Sequence, residues 1–152
     1  MANRALHLAA AAWAGVVLLG GCASQPAAPG ASGAVEAERA SLSCLLPSNC
    51  VNSLSGGPLL PLRYVGPPEN ARAAVLATLA GFPEARLERN EPLMIDAIFT
   101  TPVGFRDRVE FRIDPQGQRI DYRSRSLFGL FDFGKNSSRM REFLTRFEQQ
   151  AH

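Results

Sequence analysis

The residues best placed for chemistry lie in one late stretch, Arg123-Ser-Arg-Ser-Leu-Phe-Gly-Leu-Phe-Asp-Phe-Gly-Lys-Asn136. It sets Asp132, Lys135 and Asn136 beside two glycines, just ahead of a helical pattern, and Lys135 is the only lysine in the chain. Three chemistries are conceivable on these residue types. A helix N-terminus favours anions, so a small anionic ligand could sit there. Lys135 with Ser137 or Ser138 has the composition of a Ser-Lys nucleophile pair. Asp107 with Asp132 has that of a carboxylate pair for acid-base work. The plain alternative is that Asp132 and Asn136 organise the turn and cap the helix, and it is the favoured one. Leu127, Phe128, Leu130, Phe131 and Phe133 form a dense apolar cluster in the same stretch. Core packing is the default for such a cluster; exposed Phe128 and Phe131 would mark a partner or membrane contact.

Histidine narrows the possibilities further. The only two are His7, in an apolar N-terminal run, and His152, the last residue. The body between them therefore lacks the base of Ser-His-Asp and Cys-His catalysis and the imidazole ligands of zinc. The expectation is a non-catalytic module with no cofactor and no metal. Sixteen basic residues face fourteen acidic ones, for a net charge of +2. Nucleic-acid binders concentrate basic charge on one face, so no nucleic-acid partner is expected.

The N-terminus reads as an export signal. After Arg4, residues 5–19 are apolar apart from His7. The run suits a signal segment better than a span of about 20 residues. It ends at Leu19-Gly20-Gly21-Cys22, an arrangement that resembles the bacterial lipobox. That resemblance implies a signal peptide over 1–21 and lipidation at Cys22, with a membrane partner reached through the lipid. Residue 23 is alanine rather than the aspartate that commonly retains such proteins at the inner membrane. In a host with two membranes this points to the outer one, with the domain facing the periplasm. Fourteen of the nineteen residues from 23 to 41 are Ala, Gly, Pro or Ser. The segment 22–41 is thus expected to be the lipidated end and a flexible linker, with a possible short helix around Val35–Arg39.

Cys44 and Cys50 follow, bracketing Leu-Leu-Pro-Ser-Asn. In an exported chain such a pair is expected to form a disulfide, with two free thiols as the alternative.

The elements that must position these residues read from pattern. Residues 54–68 form an extended lead-in rich in Gly, Pro and Leu. Pro67-Pro68-Glu69 starts a helix carrying Ala71, Ala74, Val75, Leu79 and Phe82 at helical spacing, ended by Gly81 and Pro83. Strands are expected over 85–90, 93–100, 107–114 and 119–125. Pairing Asp114 with Arg119 across Pro115–Gln118 brings Arg112 to Asp121 and Glu110 to Arg123 on one face. It brings Phe111 to Tyr122 and Ile113 to Ile120 on the other. A final helix over 137–150 carries Met140, Phe143, Leu144 and Phe147, with Asn136 or Ser137 as its cap. The expected fold is α+β: a four-stranded antiparallel meander with two helices packed on one face and the charged face wet.

Several segments carry a resemblance. Asn49-Cys50-Val51-Asn52-Ser53, then Gly104-Phe105-Arg106-Asp107-Arg108-Val109-Glu110-Phe111, then Arg123-Ser124 and Asp132-Phe133-Gly134-Lys135-Asn136 with Arg139, resemble the family known as domain of unknown function 1499. The resemblance spans about residues 42–150 and implies one domain there. It carries no established activity. By motif match it implies a polar cluster of Asn49, Asn52, Ser53, Asp107, Glu110, Arg123, Ser124, Asp132, Asn136 and Arg139. Arg108, Phe128 and Ser137 depart from the family's pattern, which has a second acid, a polar or basic residue and an arginine there. The function expected from the residues is that of a lipid-anchored envelope protein, a non-catalytic module that binds an envelope protein or a small anionic ligand through the Arg123–Asn136 region or serves a passive structural role. The alternative is an enzyme of acid-base or anion chemistry at Asp107, Arg123, Asp132 and Asn136.

Overall fold

The computed structural model describes residues 31–150. The expected signal peptide over 1–21, Cys22 and the first part of the expected linker lie outside the described residues. Three helices and one antiparallel sheet make an α+β domain. The helices are α1 (Ala31–Ala40), α2 (Pro68–Ala80) and α3 (Lys135–Gln150). The strands are β1 (Cys50–Asn52), β2 (Leu62–Arg63), β3 (Ala85–Asn90), β4 (Met94–Thr100), β5 (Arg106–Asp114) and β6 (Arg119–Ser126).

The expected meander is present as β3-β4-β5-β6, but the sheet is larger than four strands. Both β1 and β2 pair antiparallel with β6, against Arg123–Arg125 and Arg119–Ile120 respectively, and together form one interrupted edge. Strands of three and two residues are too short to show a period, so pattern alone reads them as loop.

The β5–β6 hairpin has the anticipated register, with Asp114 opposite Arg119, Arg112 opposite Asp121 and Glu110 opposite Arg123. Asp114 Oδ1 accepts from the amides of Gln116 and Gly117, which closes the turn. Val109, Phe111, Ile113, Ile120 and Tyr122 point to the core with Ile95, Ala97 and Phe99 of β4. Helices α2 and α3 cover this face with Ala71, Val75, Leu79, Met140, Phe143 and Phe147. Phe143 is central: its ring lies 4.7 Å from Phe111 and 6.1 Å from Phe82, centroid to centroid.

The opposite, charged face is only partly wet. Asp96, Glu110, Arg112, Asp114 and Asp121 on it are all buried. The cover is α1, which contains the short helix anticipated around Val35–Arg39, and the segment after it; the expectation of two helices is thereby corrected to three. Ala, Glu and Arg are good helix formers, but ten residues seldom hold a helix without tertiary support. Ion pairs to the sheet supply it: Glu38 with Arg112 at 3.3 Å and Arg39 with Asp121 at 3.2 Å. Downstream, Asn52 Nδ2 donates to the Leu42 carbonyl at 2.9 Å, and Arg123 Nη1 to that of Ser43 at 2.8 Å. Cys44 and Cys50 are joined by a disulfide, which fixes the approach to β1.

Candidate functional site

The polar residues singled out by sequence separate onto the two faces of the sheet. Strand alternation makes this unavoidable: Asp107 and Ser124 point to the helix side, while Glu110 and Arg123 point to the α1 side.

On the helix side, at the end of the sheet where β5 begins, lies a buried polar hub. Asp107 is 3% exposed and has both carboxylate oxygens engaged. Ser126 Oγ donates to Oδ1 at 2.7 Å, and Arg139 Nη2 to Oδ2 at 2.6 Å. The Arg139 guanidinium also lies 4.8 Å from the centroid of the Phe99 ring, a cation–π contact. Asn136 is fully buried beside it. Its Oδ1 accepts from Ser124 Oγ at 2.6 Å and from Arg139 Nη1 at 2.9 Å. Its Nδ2 donates to the Asn49 carbonyl at 3.1 Å and to Ser126 Oγ at 3.2 Å. The hub thus ties α3 to β5, β6 and the segment before β1.

Asn136 does not cap α3, which begins one residue earlier, at Lys135. Asp132 makes that end instead, its carboxylate accepting from the amides of Gly134 at 2.9 Å and Asn136 at 3.0 Å. The same loop is braced from the other side. Ser48 Oγ donates to the Leu130 carbonyl, Asn49 Nδ2 to that of Gly129 at 2.6 Å, and the Asp132 amide to that of Ser48 at 3.3 Å.

On the α1 side, Glu110 accepts from Arg123 Nε at 2.7 Å, and Asp96 from Arg112 Nη1 at 2.8 Å. Asp121 pairs with Arg119 and Arg39 rather than with the facing Arg112, which turns to Asp96 on the other neighbouring strand. Ser53 Oγ donates to Asp121 Oδ1 at 3.1 Å and accepts the Tyr122 amide at 3.0 Å. Asn52 Oδ1 accepts the Leu54 amide. Asn52 and Ser53 therefore secure the edge of the sheet.

Asp107, Arg123, Asp132 and Asn136 do not share one cavity. A cavity of about 190 Å³ is lined by Asp107, Ser126, Asp132 and Lys135 together with Phe105, Phe128, Phe131 and Phe133, and by neither Arg123 nor Asn136. Lys135 is exposed and makes no ion pair among the described residues. Ser137 Oγ accepts from Arg141 Nη2 at 2.7 Å and is not a partner of Lys135. Among the described residues, no group of three or more His, Cys, Asp or Glu side chains gathers as metal ligands.

What pattern did not reveal is the surface around this cavity. Phe128 is 81% exposed, Phe133 98%, and Val103, Phe105, Leu127, Leu130 and Phe131 are exposed as well. They come from two neighbouring loops, 101–105 and 127–134, joined where the Leu127 amide donates to the Arg106 carbonyl at 2.9 Å. The first loop is closed by the Thr101 amide donating to the Phe105 carbonyl at 2.8 Å, by the Phe105 amide donating to Thr101 Oγ1 at 3.0 Å, and by Gly104 at φ +91°. In the second, Phe133 itself holds a left-handed backbone, φ +52°. The core-packing default for 127–133 is thereby corrected: the loop turns outward at the end of the sheet. Ser126 was legible as the next residue in register after Ser124. The outward turn had no signal beyond the glycines.

No curated protein matches the chain in sequence. A family model matches it over residues 42–147, from the residue before Ser43 to the buried Phe147 of α3. The match takes in the hub, both braced loops and the disulfide, and the chain belongs to the family described as protein of unknown function (DUF1499).

Proposed function

We propose that this chain is a lipid-anchored protein of the cell envelope whose domain is a non-catalytic binding module, engaging its partner through loops 101–105 and 127–134. The observation that carries the binding reading is the set of large apolar side chains exposed on loops that are hydrogen-bonded into place. A contiguous exposed apolar surface of this kind marks interaction sites on soluble domains. The left-handed Phe133 adds to this, because that conformation costs a side-chain-bearing residue about 1–2 kcal/mol and an outward phenyl recovers none of it by packing.

Acid-base chemistry is disfavoured by what the carboxylates already do. Asp107 is taken up by Ser126 and Arg139, and Asp132 by the amides that begin α3. The anchor reading rests on Leu19-Gly20-Gly21-Cys22 and the apolar run before it.

Two experiments test these parts separately. Metabolic labelling with a radioactive fatty acid is expected to mark the chain, and Cys22→Ser to remove both label and membrane fractionation; an unlabelled wild type would end the anchor reading. A photo-crosslinking side chain at Phe131 is expected to give a discrete adduct in cells. The same group at Ala77, exposed on α2, is expected to give none. Equal, diffuse labelling at both positions would end the binding reading.

A further inference from the structure

We propose that the occupant of this aromatic end is a phospholipid bilayer carrying anionic headgroups. The inference rests on the reading of that end as a binding surface, and adds what binds there.

The first support is shape. Phe128, Phe133 and Val103 project from loop tips with most of their surface in solvent, and the cavity that Phe128 and Phe133 border, about 190 Å³, is too small to take a peptide or helix. Side chains of this kind enter the boundary between headgroups and acyl chains, where aromatic rings are favoured. The braced loops present them without a change of backbone.

The second is charge. Arg106 borders Val103, Phe105 and Phe128, and Lys135 borders Phe131 and Phe133; both are exposed. The carboxylates that share these walls, Asp107 and Asp132, are spent on internal partners. Glu88 lies 3.8 Å from Arg106 but gives its shorter contact, 2.7 Å, to Arg108. Among the residues lining these walls, the exposed charges are thus Arg106 and Lys135, both positive, which attract anionic lipid. They also oppose a second copy of the chain, since face-to-face pairing would bring like charges together.

The third is reach. Helix α1 enters near Leu93 and Asp114, at the end of the sheet away from the aromatic loops. From Asp114 back to Arg106 is eight residue steps of β5, about 27 Å at the usual strand rise. From Cys22 to Ala31 is nine steps, at most about 30 Å when drawn out. A lipid on Cys22 and the aromatic loops can thus engage one bilayer with the domain held against it. The loops then set the orientation of the domain on the surface.

The experiment uses the processed chain, residues 22–152 with Cys22→Ser, so that no acyl chain contributes. Flotation is measured with vesicles of phosphatidylglycerol and phosphatidylethanolamine, and with vesicles of phosphatidylcholine alone. Binding is expected to the anionic vesicles and to weaken with salt. Phe128→Ser with Phe133→Ser is expected to reduce it about tenfold or more, as removal of two interfacial aromatic groups should. Lys135→Glu is expected to reduce it on anionic vesicles only. Equal flotation of wild type and the double variant, or none at all, would overturn the lipid assignment. If the Phe131 crosslinker still yields a discrete protein adduct, the binding surface stands and its occupant is a protein; if it yields nothing, both readings fall. A concentration-dependent dimer lost in the double variant would assign the surface to a second copy and likewise overturn the lipid.

Discussion

Arg139 of α3 and Asp107 of β5 meet at 2.6 Å with both side chains buried, so the last helix is fastened to the sheet by a buried ion pair. Removing one partner leaves the other charged and alone, at a cost of about 3–5 kcal/mol. Arg139→Met and Asp107→Leu are each expected to lower the unfolding free energy from denaturant titration by that amount. The double variant is expected to cost clearly less than the sum of the two. Additive losses would mean that the hub residues around the pair, rather than the pair itself, hold α3 in place.

The disulfide between Cys44 and Cys50 closes a loop with sequence separation 6. Restricting so short a loop stabilises the domain by roughly 2 kcal/mol in the chain-entropy model. Cys44→Ser with Cys50→Ser is expected to lose about that amount by denaturant titration. Because Asn52 and Arg123 still hold the Leu42 and Ser43 carbonyls, faster amide exchange is expected to concentrate before β1 and leave β5 protected.

Burial raises the hydroxyl pKa of Tyr122, with Asp121 adding to the effect, and burial with Asp114 and Glu69 raises that of Tyr64. Both hydroxyls donate to backbone carbonyls, Tyr122 to Leu60 at 3.1 Å and Tyr64 to Asp114 at 3.2 Å. A raised acid favours folding while it stays protonated. Its contribution is complete below the unfolded value of about 10 and is lost as pH rises beyond it. Phenolate absorbance at alkaline pH is therefore expected to appear together with loss of near-ultraviolet dichroism. Titration of both tyrosines in a still-folded protein would contradict this.

Phe133 sets stability against exposure. Asparagine tolerates the left-handed backbone better than phenylalanine, and a side chain 98% exposed has no packing to lose. Phe133→Asn is expected to raise the melting temperature slightly, by up to about 1 kcal/mol of stability, while weakening capture of anionic vesicles. A destabilised variant would show that the ring packs on its neighbours.

Much of the frame is legible in the sequence because its signals are local. The alternation of 107–114 and 119–125, with turn chemistry between, fixes the hairpin register pair by pair. The Pro68 start and Gly81 end delimit α2. Side-chain partners are less legible than backbone partners. Arg112 faces Asp121 as pattern requires, yet bonds Asp96, because a central strand offers each charge two neighbours and the pattern examines one. Burial of the charged face is a tertiary effect: Ala31–Ala40 has little apolar periodicity and docks by ion pairs whose partners lie 70 residues or more away, as Glu38 and Arg112 do. The polar residues marked by motif fall on opposite sides of the sheet, since a motif records order along the chain while alternation decides the face.

The order of attachments along the N-terminal segment governs how the domain bears a load. A pull on the chain ahead of α1 meets the surface pairs of Glu38 and Arg39 first, then the carbonyls of Leu42 and Ser43, and then the covalent loop at Cys44. Peeling halts at that staple, where further force must shear β1 from β6 along their length. The helix-covered core, with Phe111 and Phe143 at its centre, thus comes after these attachments in the order in which such a pull loads the chain.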